Sequence, residues 1–159
     1  MGENVYKRAR LRAAETDNSL RSVESTYEQV CITRERLLAI EQTNPKKKMA
    51  IPNPDDVVTM SKVYGAPELC NYYCSTQCPI GCSKGEEPLI YDDLGKISAS
   101  LMSALHFLDA ANDEIHSILA DSKVTENEKD EFEQIIKTLN DIVYSANSLE
   151  LWAKKNGLI

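Results

Sequence analysis

Cys70, Cys74, Cys78 and Cys82 recur at a strict four-residue interval in "CNYYCSTQCPIGC". Four thiolates make the donor set of a tetrahedral zinc site or an iron–sulfur cluster. In a helix, an interval of four stacks Cys70 and Cys74 on one face, one turn apart. Pro79 and Gly81 argue against a regular helix through Cys82, so Cys78 and Cys82 could fold back toward the first pair. The spacing is not the C-x2-C of a zinc knuckle, and two other chemistries stay open. One is a redox-sensitive pair; the other is that Cys70 and Cys74 are small apolar residues buried beside Leu69 and Tyr73. Zinc or an iron–sulfur cluster is the one cofactor these residues suggest.

The remaining candidates are weaker. His106 and His116 are ten apart on a predicted helix, do not share a face, and read as surface residues. Asp109, Asp113 and Glu114 read as a solvated acidic face. "DSKVTENEKDEF" lacks the alternating ligands and central glycine of a calcium loop and reads as a capped helix start. No Ser-His-Asp or Cys-His arrangement and no glycine-rich phosphate loop is visible, so no enzyme is expected.

The elements that position these residues follow from patterning. The chain has 159 residues, of which 42% are hydrophobic, enough for a core of ordinary size. No uncharged apolar run reaches 18 residues, and "MGENVYKRARLRAAE" carries basic residues without an apolar segment after them. A cytoplasmic chain with reduced thiols is therefore expected, with no membrane span and no secretory signal. The net charge of -7 is unevenly spread. Residues 1–50 carry ten Lys and Arg against seven Asp and Glu, residues 51–85 two against three, and residues 86–159 six against fifteen. The front suits a polyanion and the back repels one.

No stretch alternates like a strand, so the expected fold is all-α. "NVYKRARLRAAE" (4–15) predicts an amphipathic helix with Val5, Ala9, Leu11 and Ala13 inward. A second short helix follows Ser22, with Val23, Tyr27 and Val30 apolar. A third spans 32–41, with Thr33 as N-cap and Ile32, Leu37, Leu38 and Ile40 apolar. After the loop "QTNPKKKMAIPNP", Pro54, Asp55 and Asp56 suit a helix N-terminus, and Gly65-Ala66-Pro67 ends that helix. Toward the C-terminus, two seams repeat in steps of three and four. One is Ile97, Leu101, Ala104, Leu108, Ala111, Ile115 and Ile118. The other is Phe132, Ile135, Leu139, Ile142, Ala146, Leu149 and Ala153. Thr125 and Glu128 form a capping box for the second helix. The expected organisation is a domain over 1–69, a Cys-rich junction and linker over 70–95, and an antiparallel helical hairpin over 96–159. Apolar residues beside the seams include Met102, Leu105, Ile136, Val143, Leu151 and Trp152. A hairpin alone cannot bury that much, so it must pack on the front domain or on a second copy; the preferred expectation is a homodimer through a four-helix bundle, with Leu101, Leu105, Leu108, Ile136, Leu139, Val143 and Trp152 in the interface.

Residues 20–69 resemble the lambda-repressor/Cro-like helix-turn-helix family, often called the XRE family. The resemblance is concentrated in "VCITRERLLAIE" (30–41). Val30 matches the apolar end of the family's second helix, Ile32 the apolar residue of the turn, Thr33 the cap and Arg34 a polar recognition position. Leu37, Ile40 and Glu41 match the pattern that closes the third helix, and "IPNPDDVVTMSKVYGAPEL" (51–69) looks like the fourth. "NVYKRARLRAAE", "APELCNYYC…CPIG" and the tail ending "LWAKKN" are similar to short regulators of Firmicutes and their mobile elements. The resemblance implies a helix-turn-helix domain of four to five short helices that binds double-stranded DNA. Its third helix would present Thr33, Arg34, Glu35 and Arg36 to base edges in the major groove. Ser22 would hold a backbone phosphate, and Lys46, Lys47 and Lys48 would add phosphate contacts. Two positions depart from the family pattern. The turn, which usually carries glycine at φ > 0, has Cys31, at a cost on the order of 1 kcal/mol. Thr26 and Tyr27 stand where the second helix usually has small residues.

The expected function is a dimeric transcriptional regulator that represses by occluding a promoter. The alternative is a phage or mobile-element protein whose helix-turn-helix scaffold binds and inhibits a host protein, such as a defence nuclease, with the acidic tail imitating nucleic acid.

Overall fold

The computed structural model describes residues 4–44, 49–85, 87–110, 112, 115, 116 and 124–159. Among these residues the chain is all-helical, without a strand, in eight α-helices and two short 3-10 turns. It divides into two compact units, Met1–Pro88 and Leu89–Ile159. Cys70, Cys74, Cys78 and Cys82 fall within the first unit.

The first unit holds α1 (Val5–Ala13), α2 (Val23–Thr26), α3 (Arg34–Ile40), α4 (Pro54–Val63), α5 (Glu68–Thr76) and α6 (Pro79–Ser83). Each start has a local cause. The Asn4 side chain accepts the Tyr6 and Lys7 N–H groups at 3.0 and 3.1 Å. Ser22 accepts from the Ser25 N–H and Thr33 from the Arg36 N–H, so each satisfies an orphan donor of its helix. Pro54 and Pro79 sit in first turns, where no N–H is needed. As Pro79 and Gly81 lead one to expect, no single regular helix runs from Cys70 through Cys82: α5 stops at Thr76, Cys78 is extended, and the separate short α6 begins at the proline. Fourteen buried apolar residues form one core, including Tyr6, Leu20, Leu37, Ile40, Met60 and Leu69.

Of the residues predicted inward on α1, Ala9 lies in the core and Val5 and Ala13 pack against it, but Leu11 does not. Tyr6, Ala9 and Arg10 are buried, while Leu11 is exposed. Tyr6 brings more apolar surface to the core than Leu11 would, and its hydroxyl still donates to Gln77 Oε1 at 2.7 Å. Leu38, expected among the apolar residues of the third helix, is likewise exposed.

The second unit packs α7 (Leu94–Ala110) along α8 (Lys129–Lys155). Thr125 and Glu128 form the expected capping box, at the 3-10 turn Glu126–Glu128 that leads directly into α8, the Thr125 N–H and hydroxyl donating to Glu128 Oε2 at 2.8 and 2.6 Å. The predicted seam of α8 is corrected. Its buried residues are Ile135, Thr138, Ser145, Ser148 and Leu151, whereas Leu139, Ala146 and Leu149 of the predicted seam are exposed. On α7, Ile97 and Ala104 are buried and Leu101 and Leu108 half-buried. Two of the three hydroxyls on the inner line have their polarity met: Thr138 Oγ1 donates to Gln134 O, and Ser145 Oγ donates to Ser100 Oγ at 3.0 Å, while buried Ser148 Oγ has no such partner. Trp152 is half-buried, and Lys155 Nζ lies 4.3 Å from the centre of the Tyr91 ring. Ala111, Asp113, Glu114 and Ile118 lie outside the described residues.

Candidate nucleic-acid interface

The link between α2 and α3 decides what α3 can present. Helical bonding continues past α2 to Val30, whose N–H reaches Thr26 O. The Ile32 N–H then bonds Tyr27 O at 3.1 Å and the Cys31 N–H bonds Glu28 O at 3.2 Å, with Cys31 at φ 54°. These two bonds around a left-handed residue make a Schellman motif. Cys31 is the one non-glycine residue with positive φ among the described residues, at the position where the sequence departs from glycine. Beyond it Ile32 is buried, Thr33 caps α3, and the first turn of α3 faces solvent.

Thr33, Arg34 and Glu35 are exposed there and Arg36 is half-buried. Arg34 reaches across to α2, its Nε and Nη2 donating to Glu24 Oε1 at 3.2 and 2.8 Å. Arg36 donates through Nε and Nη2 to Asp56 Oδ2 at 2.9 and 2.6 Å, tying α3 to the start of α4. Asp56 Oδ2 also accepts the Asn53 N–H. The Glu24 carboxyl is held below its ordinary range, first by its own backbone N–H and then by Arg34. Both partners of the Arg34–Glu24 pair are widely exposed, so solvent screens the pair and a phosphate can replace the carboxylate. Ser22 stands at the start of α2, two residues from Glu24, and its hydroxyl is already used as a cap. The structure thus gathers Ser22, Thr33, Arg34, Glu35 and Arg36 on the exposed starts of α2 and α3. Lys46, Lys47 and Lys48 lie outside the described residues.

Thr26 and Tyr27 are accommodated. Thr26 is fully buried, with its hydroxyl donating to Ser22 O at 2.7 Å, and half-buried Tyr27 packs against the edge of the core.

What orients α3 is a pair that the sequence reading passed over. Buried Arg10 donates from Nε and Nη2 to the two carboxylate oxygens of buried Glu41 at 2.7 and 2.6 Å. Its Nη1 meets the Leu20 and Arg21 carbonyls. The hydrogen bond to Glu41 raises the Arg10 pKa against the opposing effect of burial. With Asn4 Nδ2 on Ile40 O at 2.7 Å, α1 thereby grips the C-terminal end of α3. The available signal was Arg10 on the stripe with Tyr6 and Ala9, since an arginine facing a core requires a carboxylate there.

The four spaced cysteines do not assemble as a metal centre. Cys70 and Cys78 pack against the core, Cys74 and Cys82 are exposed, and none of the five cysteines is in a disulfide. Among the described residues no group of three or more His, Cys, Asp or Glu side chains is placed to hold a metal ion. The segment does turn back, with Cys82 Sγ 3.8 Å from Ser75 O, but not onto a shared centre. His106 and His116 are both exposed. No helix among the described residues is long and apolar enough to cross a membrane.

No protein-family model, curated protein or solved structure matches this chain.

Proposed function

We propose that this chain is a DNA-binding transcriptional regulator of repressor type. α2 and α3 act as a helix-turn-helix, and α7 and α8 form a hairpin that pairs two copies on a two-fold operator. The observation that carries the reading is the left-handed turn at Cys31. It leaves the first turn of α3 exposed with Thr33, Arg34, Glu35 and Arg36, the residue types that read base edges and phosphates. Arg34 exchanges Glu24 for guanine or phosphate at little expense, Glu35 accepts from a cytosine amine, and Ser22 holds a phosphate at the start of α2. Repression then needs only occupancy of a promoter.

The test is binding of the pure protein to a random-sequence DNA pool at stepped salt concentrations, with sequencing of what is retained. The expected result is a two-fold symmetric motif, with log affinity falling with log salt at about -0.9 per phosphate neutralised. Arg34→Ala, whose exposed pair holds no core element, should lose the motif. No enrichment at low salt sinks the proposal.

A second reading has an observation in its favour. Both arginines of α3 are engaged by carboxylates of their own chain, and Glu28, Glu35 and Asp55 are exposed nearby in the sequence. That charge balance suits a protein partner, in keeping with a mobile-element inhibitor of a host nuclease. Retained motifs and a steep salt slope exclude it.

A further inference from the structure

The α7–α8 pair carries two unlike flanks. One is a polar groove lined by Ser100, Ser103 and Phe107 of α7 and by Gln134, Thr138 and Asp141 of α8. The 3.6-residue period places Met102 and Leu105 on the other flank of α7, and Ile136, Leu139 and Val143 on the same flank of α8. These five are 65, 44, 43, 43 and 57% exposed. Half-buried Leu101 and Leu108 join them to the contact between the helices. By the same period, no charged side chain falls on this flank between Leu94 and Leu108 or between Phe132 and Ala146, and Asp109 on α7 and Lys129 and Glu150 on α8 bound it at its ends.

We infer that this flank, which holds Leu105, Ile136, Leu139 and Val143 of the expected interface and adds Met102, is where a second copy of the chain docks, closing a two-fold four-helix bundle. The inference rests on the dimeric part of the proposed function and specifies its surface. Two arguments select a second copy as the occupant. First, a helix of a four-helix bundle needs an apolar wedge broad enough for two neighbours. The inner line of serine, threonine and alanine serves the close neighbour within the chain. The adjoining large side chains, on the same side of both helices, are left for a second pair. Second, residues 86–159 hold fifteen Asp and Glu against six Lys and Arg, so charged faces of two copies repel. The stretch of this flank between those charged ends is the surface that can meet itself, as an isologous interface must. Contiguous apolar surface of this kind on one flank marks an interaction site.

The test is sedimentation velocity on the full chain across a concentration series, without DNA. The native chain should sediment as a dimer at micromolar concentration. Met102→Glu with Val143→Glu should weaken association about a hundredfold or more, at unchanged helicity. Met102→Lys with Val143→Lys should do the same, and mixing the acidic and basic variants should restore dimers, which a folding defect cannot produce. Lys137→Glu, on the far side of α8, should leave the dimer intact. A native chain that stays monomeric at about 100 μM, variants that remain dimeric, or a mixture that stays monomeric overturns the inference. DNA plays no part in this readout, so its failure is separate from failure of DNA reading.

Discussion

At Cys31 a β-carbon occupies a conformation that most residues avoid. The Schellman bonds on either side hold it there, and the left-handed region costs an L-residue about 1–2 kcal/mol. Glycine removes that strain but gains freedom in the unfolded chain, which returns part of the benefit. Cys31→Gly is therefore expected to stabilise the protein by about 0.5–1 kcal/mol in urea denaturation. Cys31→Ala, which removes an exposed thiol and keeps the β-carbon, should be close to neutral. If glycine proves no more stable than alanine, strain is not what distinguishes this turn. The turn itself was legible, because an apolar residue, a small residue and a capping threonine stand in order before α3. The Arg10–Glu41 pair was not legible, because its partners are thirty-one residues apart and the need for it appears only once Arg10 is known to face the core.

Helix starts were the most legible elements. Ser22, Thr33, Pro54 and Thr125 each act within one turn, so sequence neighbours suffice to define them. The inner face of α8 was not legible for a related reason. Counting apolar residues in steps of three and four selects Leu139, Ala146 and Leu149, but the neighbour helix comes in on Thr138, Ser145 and Ser148, whose size admits it. The cysteine interval misled similarly: α5 and α6 set Cys70 and Cys78 against the core and leave Cys74 and Cys82 outside. The cap of α8 gives a prediction in pH. The Thr125 hydroxyl, and then its N–H, hold the Glu128 carboxyl below its ordinary value of 4.5. A depressed carboxyl contributes stability that is present above that value and lost as pH falls through the folded one. The start of α8 should therefore fray on acidification below the ordinary carboxylate range. In Thr125→Ala the Glu128 side-chain resonances should titrate closer to 4.5, and amides at the start of α8 should exchange faster at neutral pH. Unchanged titration in the variant would show that the hydroxyl does not set the carboxyl.

For the whole molecule, charge sets two requirements against each other. Residues 1–88 carry twelve Lys and Arg against twelve Asp and Glu, while residues 89–159 carry six against thirteen. The acidic unit thus supplies the whole net charge of -7, which opposes every approach to DNA, yet on the proposed reading it is also what joins two readers. The first unit has its own core, so residues 1–88 can be examined alone, and two DNA substrates should separate the two effects. On random-sequence DNA at low salt, the fragment should bind more tightly per reader than the full chain, because long-range repulsion is gone. That advantage should shrink as salt rises and the screening length falls to about 3 Å at 1 M. On a selected two-fold site the order should reverse, because the fragment must engage each half-site separately and loses the effective concentration that linkage supplies. A fragment weaker on both substrates would mean that the acidic unit touches DNA or orders the reader. A fragment stronger on both would mean that it serves no pairing role on DNA.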